Sequence, residues 1–372
     1  MTPDEIRDLF PGLRDTVYLN TATMCMGSTP VREAYNRATE RWVAGRFDWV
    51  DAEEAGEAAR RAFAELINAT AQEIALIPSV STAAGLIATN LPPAQRGDNL
   101  LVTEDDFTSN LFPWLLLKER GYEVRMVPGA TAGPPVEAYA ARADAGTRLI
   151  AVSAVHSLTG YRIDLQALSQ VAARSGAWLF VDACQAAGAV PIDVRRDGID
   201  FLSAASHKFL LGSRGMGYLF IRDALLPKLR PIGPGWRAGR KPMESFYGPN
   251  MDLSPNASRF DSSLAWFPAM AEQGAIEIFR RVGRAAILER NARLIEHLHQ
   301  ALAAHGLSAF PFPPASRSTI ASVQVKDADA ALKRLQAANV IATVRGGRVR
   351  LAAHFYNLES ELEQVAALLA SE

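Results

Sequence analysis

Short apolar segments alternate with longer amphipathic segments between residues 70 and 222. Several apolar segments show no polar alternation, which is typical of strands covered on both faces of a sheet. The predicted strands are residues 73–78, 99–102, 123–127, 148–153, 177–182, 201–204 and 216–221. The predicted helices between them are residues 81–90, 110–120 and 164–175. This order predicts an α/β domain with a mostly parallel sheet, and ligands of such sheets bind at the carboxyl ends of the strands.

The pattern changes after a loop rich in Pro, Gly and Ser at residues 231–263. Beyond it we predict one long helix at 268–305, extended segments at 319–325 and 340–350, and helices at 328–338 and from Leu358 onward. We therefore expect two domains, since domains commonly span about 100–200 residues. The large α/β domain is predicted over residues 20–262, and residues 1–19 with 263–372 are predicted to form a small α+β domain.

Composition and charge exclude several classes of protein. The chain has 39 basic and 40 acidic residues without a basic cluster, which argues against a nucleic-acid binder. The first residues are polar and acidic, and the longest apolar stretches, such as 111–117, are too short to span a bilayer, so we expect a cytoplasmic protein without a membrane anchor. Two cysteines, Cys25 and Cys184, give neither a disulfide framework nor a zinc site, and we expect no metal.

Two charged residues follow predicted strands at the edge where ligands bind. Asp182 ends the strand of Phe180-Val-Asp-Ala-Cys-Gln185, and Lys208 closes Asp200-Phe-Leu-Ser-Ala-Ala-Ser-His-Lys208. One strand–helix–strand unit separates them, so both side chains can reach one site. A desolvated lysine is a nucleophile, and a carboxylate opposite it is what pyridoxal-phosphate chemistry requires. Taken singly, Asp182 fits a helix N-cap and Lys208 fits a solvated loop lysine.

The segment from Asp200 to Leu219 resembles the lysine signature of class V aminotransferases, the fold-type I group that includes cysteine desulfurases, selenocysteine lyases and isopenicillin N epimerase. The resemblance extends over nearly the whole chain. Further motifs that resemble the family are residues 18–22, 79–83, 106–114, 258–263 and 349–357. It implies a fold-type I enzyme that binds pyridoxal 5'-phosphate as a Schiff base on Lys208. It also implies a homodimer with shared active sites and a small amino-acid-like substrate.

The resemblance assigns roles to particular residues. Lys208 and Asp182 are the expected catalytic residues. The expected cofactor-binding residues are Ser81, Thr82, Phe107, Ser157, Asp182, Gln185, His207, Lys208 and Ser262, and the expected substrate-binding residues are Arg350, Thr23 and Asn20.

Local patterns leave alternatives for several of these residues. A polar turn before a helix favours phosphate binding at Ser81 and Thr82, but an ordinary N-cap fits equally. Phe107 replaces the histidine that usually stacks on the cofactor ring, and by local pattern it fits a core position as well. His156 lies near the position where the family often has an asparagine, and a lone histidine is more often structural. By pattern alone, Arg350 fits a solvated edge-strand arginine.

The type of reaction is less defined than the cofactor. Desulfurases of this family take sulfur on a cysteine in a C-terminal loop, and this sequence has no cysteine after Cys184, which leaves only Cys25 as a substitute. We therefore expect a C–S or other β-lyase, or a desulfurase-like activity without that cysteine. The alternatives are an aminotransferase or epimerase of the same family and, in a different class, a non-catalytic binding protein. The aromatic residues at 47–49 and 236–247 fit either a substrate pocket or loop anchors.

Overall fold

The computed structural model describes residues 1–129 and 135–371. Its strands are β1 Val17–Tyr18, β2 Ile74–Ile77, β3 Asn99–Thr103, β4 Glu123–Val127, β5 Thr147–Ser153, β6 Trp178–Asp182, β7 Phe201–Ala205, β8 Gly217–Ile221, β9 Ile320–Val323, β10 Val340–Ile341, β11 Thr343–Arg345 and β12 Arg348–Ala352. Its α-helices are α1 Pro3–Arg7, α2 Thr29–Val43, α3 Trp49–Leu66, α4 Val80–Asn90, α5 Phe112–Leu115, α6 Val136–Ala140, α7 Leu165–Ser175, α8 Trp266–Val282, α9 Arg284–Ala304, α10 Ala328–Ala337 and α11 Glu359–Ala370.

A seven-stranded sheet forms the centre of the fold, in the order β2-β8-β7-β6-β5-β3-β4. Its strands run parallel except β8, which is antiparallel to both β2 and β7. The predicted α/β class with a mostly parallel sheet is therefore confirmed. Ser153 and Asp182, the last residues of the parallel strands β5 and β6, are register neighbours, and Asp182 pairs in turn with Ser203 in the middle of β7.

Apolar side chains cover both faces of this sheet, which explains the unbroken apolar segments in the sequence. On one face, Ile87 of α4 and the buried Trp114 pack in a cluster with Phe180. On the other face, Phe63 of α3 and Leu168 of α7 pack against inward residues of the same strands. The strands are consequently buried between helical layers, and their carboxyl ends remain the exposed edge where a ligand can bind.

A second, antiparallel sheet of order β11-β12-β9 packs against α9, α10 and α11 through the cluster that contains Leu298, Leu335 and Val365. The N-terminal residues lie against this part of the chain. The Phe10 and Tyr356 rings are 4.8 Å apart, and Arg7 donates to the Glu361 carboxylate at 2.7 Å. These contacts agree with residues 1–19 joining the small domain, although the domain boundaries stay a prediction.

The long helix predicted at 268–305 is wrong, because the structure has two helices there. Helix α8 ends at Val282, Gly283 adopts φ 89°, and α9 begins at Arg284. Glycine enters this left-handed region without a steric cost, and a residue there cannot continue a right-handed helix. In the same way, the extended segment at 340–350 is three short strands, with Gly346 and Gly347 in the turn between β11 and β12.

The helix predicted at 110–120 is also only partly correct. It consists of α5, a single turn with Pro113 near its start, between 3-10 turns at Thr108–Asn110 and Leu116–Arg120. Proline lacks the N–H that a continuous helix requires at that point, so it marks a helix start instead. In the part of the chain that the structure covers, no helix combines the length and apolarity needed to cross a bilayer.

Candidate active site

A cleft of about 510 Å³ lies at the carboxyl ends of the central strands. It brings together eight of the residues that the sequence singled out, from segments far apart in the chain. These are Thr23, Phe107, Ser157, Asp182, Gln185, His207, Lys208 and Arg350. Sequence reasoning did not single out three further lining residues, Ser153, Arg214 and Arg345. Arg214 could have been noticed from its place between Lys208 and the Gly215-Met-Gly217 turn.

Asp182 is a buried carboxyl at the end of β6. Its Oδ1 accepts the backbone N–H of Cys184 at 2.8 Å, and burial raises the pKa of Asp182, while Cys184 and the charge of Lys208 oppose the rise. A carboxylate that burial destabilises is a strong partner for a cation placed beside it. The position therefore suits a protonated ring nitrogen.

A second buried carboxyl, Asp106, lies next to Asp182. Its oxygens accept from the backbone N–H of Phe107 at 2.7 Å, from Ser153 Oγ at 2.6 Å and from Asn110 Nδ2 at 2.9 Å. Burial raises the pKa of Asp106 to about 6, and the Asp182 charge adds to the rise. Asp106 thus fixes the backbone that presents Phe107. Asp106 is the first residue of the segment 106–114 that resembles a family motif, which was the available sequence signal.

Lys208 lies in the loop between β7 and β8, with Nζ 5.5 Å from the centroid of the Phe107 ring. Phe107 is 52% exposed, so its ring lines the cleft and the core interpretation of this residue is wrong. Burial, with the charges of Lys208 and Arg214, lowers the pKa of His207 to about 4. His207 is therefore neutral at physiological pH and can act as a hydrogen-bonding group.

Arg350 is a buried cation on β12 and is only 4% exposed. Its Nη1 donates to the Ser157 carbonyl and its Nη2 to Thr23 Oγ1, both at 2.8 Å. Within the described residues its Nε has no partner and no carboxylate pairs with it. Burial, and to a lesser degree Arg345, lowers its pKa to about 10, so it still carries its charge at neutral pH. A buried guanidinium without a counter-ion is suited to bind an anion.

The predicted binding site for the cofactor phosphate lies at the N-terminus of α4. Ser79 caps this helix, since its Oγ accepts the Thr82 N–H at 3.2 Å and lies within hydrogen-bond distance of the Ser81 and Thr82 hydroxyls. Ser79 and Arg214 line the cleft, whereas Ser81 borders a neighbouring groove and Thr82 is exposed and lines neither. A helix N-terminus favours phosphate, and phosphate binding by Ser81 and Thr82 stays a prediction.

Of three other predicted residues, Gln185 lines the cleft, whereas Asn20 and Ser262 do not. The Asn20 carbonyl accepts the Thr23 N–H at 2.9 Å, so Asn20 shapes the turn that presents Thr23. Gln185 Nε2 donates to the Ala22 carbonyl at 3.0 Å, and its buried Oε1 has no partner among the residues described. Ser262 is outside the cleft, where its N–H reaches the Leu76 carbonyl at 3.4 Å.

Neither cysteine is an activated nucleophile. Cys25 is buried behind the Lys208 loop, and burial raises its pKa to about 12. Cys184 lines the cleft, but burial raises its pKa as well, and the charge of Asp182 adds to the rise. Since the thiolate is the reactive form, both thiols are poor sulfur acceptors. His156 is buried and bonds to Thr159 and to the Asp105 carbonyl, which agrees with its structural interpretation.

The sequence pattern of the family described as "Aminotransferase class-V" matches residues 41–360. The chain belongs to this family. It is accordingly a pyridoxal-phosphate enzyme of fold-type I. An "Uncharacterized aminotransferase YcbU" of Bacillus subtilis is 28% identical, over 100% of this chain and 98% of its own. A "Probable cysteine desulfurase" of Methanothermobacter thermautotrophicus is 27% identical, over 99% of this chain and 98% of its own.

A solved structure with the same fold is that of the cystine C–S lyase C-DES in complex with its reaction product cysteine persulfide. It superposes with a TM-score of 0.86, covers 97% of this chain and 99% of its own, and is 22% identical.

The residues of the cleft fit the cofactor of this family. A phosphorylated pyridine aldehyde needs an amine, a carboxyl for its ring nitrogen and donors for its phosphate, and Lys208, Asp182 and the N-terminus of α4 with Arg214 are of these types. The partnerless Gln185 Oε1 is a further buried polar group that would face a bound ring substituent.

Proposed function

We propose that this protein acts at the α-carbon of an amino acid through a Schiff base on Lys208. Its reaction is carbon–sulfur bond cleavage, as a β-lyase or a desulfurase-like enzyme. The observation that carries the proposal is the uncompensated buried cation Arg350 in the same cleft as Lys208 and Asp182. An α-carboxylate bound to Arg350 places an amino acid within reach of the lysine amine.

Each residue then has a defined task. Arg350 binds the substrate carboxylate through its planar guanidinium group, and the hydrogen bond to Thr23 Oγ1 fixes the orientation of that group. Asp182 would hold the proton on the ring nitrogen of a bound cofactor, and the Phe107 ring would supply an aromatic surface for it. The cofactor supplies an electron sink for the α-carbon. The Lys208 amine removes the α-proton and can return it to the departing sulfur as the bond from β-carbon to sulfur breaks.

The absence of a suitable cysteine supports elimination over persulfide formation on the enzyme. No cysteine lies in this sequence between Cys184 and the carboxylate-binding strand, or after that strand. Sulfur therefore leaves with the departing fragment, as the persulfide product of the C–S lyase neighbour illustrates for that protein. Transamination is the second candidate, because one relative that is matched over 98% of its length is named an uncharacterized aminotransferase.

The test is the visible spectrum of the purified holoenzyme, recorded before and after addition of amino acids that include cysteine, cystine and cysteine conjugates. Elimination predicts that the band of the lysine-bound cofactor returns after turnover, with keto acid and ammonia released in equal amounts. Stoichiometric conversion to the pyridoxamine form would identify an aminotransferase instead. If no lysine-bound band forms with added pyridoxal phosphate, the proposed function is wrong.

We also propose a homodimer in which Ser262 or Ser263 of one protomer reaches the phosphate site of the other. Ser262 lies outside its own cleft, and Ser263 is exposed next to it. Light scattering of the purified protein measures the assembly state. Mixing an inactive Lys208→Ala chain with a chain in which Ser262 and Ser263 are both Ala should restore activity in hybrid dimers. A fully active monomer would contradict this arrangement.

A further inference from the structure

The loop that carries Lys208 holds a strained residue. The loop runs from Ser206 to Ser213. Within the loop, Leu211 adopts φ 63°, and its side chain is only 1% exposed. Residues with a side chain avoid this left-handed region, because Cβ approaches the following carbonyl oxygen. Inside the loop, the Leu211 N–H donates to the Lys208 carbonyl at 3.0 Å and the Gly212 N–H to the Ser206 carbonyl at 3.1 Å. Such a conformation persists only where the surroundings hold it.

A single carboxylate from outside the loop joins its two ends. Glu272 of α8 is 2% exposed, and its Oε2 accepts from Ser206 Oγ at 2.6 Å and from the Tyr218 hydroxyl at 2.9 Å. Its Oε1 accepts the backbone N–H of Ser213 at 3.1 Å. The first and last residues of the loop, and the strand that follows, are therefore tied to one side chain.

This carboxylate has no cationic partner among the residues that the structure describes, and burial raises its pKa. A buried acid without a cation is costly, whereas an apolar side chain would fill the same space without that cost. The loop is also shaped around it, since a Cβ on Gly212 would lie 2.3 Å from Glu272 Oε1 and 2.1 Å from Ser206 Oγ. General packing does not account for an acidic side chain here, but a positioning role does.

We propose that Glu272 is a positioning residue for Lys208. By joining Ser206 to Ser213 it keeps the loop closed over the strained Leu211, and the closed loop sets the direction of the lysine amine toward the cofactor opposite Asp182. This inference rests on the proposed function, in which Lys208 is the catalytic amine. Glu272 touches neither the cofactor nor the substrate in this scheme and acts through the loop alone.

The test compares Glu272→Met, which keeps the volume but accepts no hydrogen bond, with Glu272→Gln, whose amide can retain part of the network. Glu277→Met is the matched control, because Glu277 lies on the same helix and makes only an exposed ion pair with Arg281. Leu211→Gly, alone and combined with Glu272→Met, tests whether the loop keeps its position without the Glu272 carboxylate once the backbone strain at residue 211 is removed. Hydrogen exchange of the 206–213 peptide is measured in each apoprotein, and kcat and KM in each holoenzyme.

We expect Glu272→Met to speed exchange of the loop amides at least about tenfold, because the loss of one ordinary hydrogen bond already gives about that factor and this variant loses three. We expect kcat to fall at least about tenfold with KM within about threefold, because the lysine and not the carboxylate site is displaced. Glu272→Gln should lie between Glu272→Met and wild type, and Glu277→Met should match wild type. In the Glu272→Met background, Leu211→Gly should recover part of the lost kcat, since glycine adopts this φ freely.

The inference would be overturned if Glu272→Met left the hydrogen exchange of the loop amides unchanged. It would also be overturned if a rise in KM accounted for the whole loss in kcat/KM. Purely additive effects of Leu211→Gly and Glu272→Met would overturn it as well. If the Met variant does not fold, Glu272→Gln and Tyr218→Phe, which removes a single hydrogen-bond donor, test the inference instead. The same measurements apply, namely hydrogen exchange of the loop and the values of kcat and KM. An enzyme without turnover on any amino acid would refute the proposed function, whereas the exchange measurement on the apoprotein would still decide the role of Glu272.

Discussion

Replacing Arg350 by Met removes the only buried cation that we assign to the substrate carboxylate. Two hydrogen bonds from a guanidinium to a carboxylate contribute about 1.5–3 kcal/mol each, so we expect kcat/KM for an amino acid to fall by about 10² to 10⁴-fold. The stability should respond differently. The variant loses two hydrogen bonds, to Ser157 and Thr23, but it also loses the cost of a buried charge without a counter-ion, so Tm should stay within about 2 °C of wild type.

The assay measures kcat/KM for the best amino acid substrate and for the amine that lacks its carboxylate. Wild type should prefer the amino acid strongly, whereas the variant should turn over both at similar low rates. Arg348→Met is the matched control, because Arg348 lies on the same strand but its guanidinium packs 4.1 Å from the Phe310 ring and donates to the Ser322 carbonyl. Activity of Arg350→Met within threefold of wild type, or an equal loss with the amine, would refute the reasoning.

Three further predictions follow from the same contacts. Lys208→Ala should abolish both the absorbance band of the lysine-bound cofactor and turnover. Lys241→Ala is the control, since it removes only an exposed ion pair with Glu244, and it should change neither. Retained turnover in Lys208→Ala would contradict the mechanism. Asp106 binds its proton more tightly in the folded protein, so its contribution makes the free energy of unfolding fall as pH rises from about 3.8 to about 6. Asp106→Asn should therefore flatten this part of the Tm–pH profile relative to wild type. Parallel profiles of the two proteins would contradict the raised pKa of Asp106. Asp261→Ala should destabilise the fold by about 3 kcal/mol in denaturant unfolding, because it removes the buried carboxylate that Arg60 and Arg237 share and leaves them only Glu57 and Glu53 as acidic partners among the described residues. Asp252→Ala at the surface should cost under about 1 kcal/mol, and equal effects would show that this carboxylate does not stabilise the buried cluster.

The sequence alone located the strands of the central sheet to within a few residues. Strands covered on both faces are apolar without interruption, and this signal is local. The same strand ends led to Asp182 and Lys208, since the carboxyl edge of a parallel sheet is where ligands bind. Where a local signal was overlooked, the prediction was wrong: Gly283 and the pair Gly346–Gly347 divide segments that composition presents as continuous.

The tertiary structure alone decided which polar groups face one another. The sequence does not show that Arg350 is buried without an acidic partner among residues 1–129 and 135–371, or that Glu272 reaches both ends of the Lys208 loop. Nor does it show that the Asp106 and Asp182 carboxyls are close enough to affect each other's pKa. These are contacts between segments far apart in the chain, and no local pattern encodes them. The charge state and reactivity of each group depend on burial and on such neighbours, so the chemistry of the cleft is fixed only once the chain has folded.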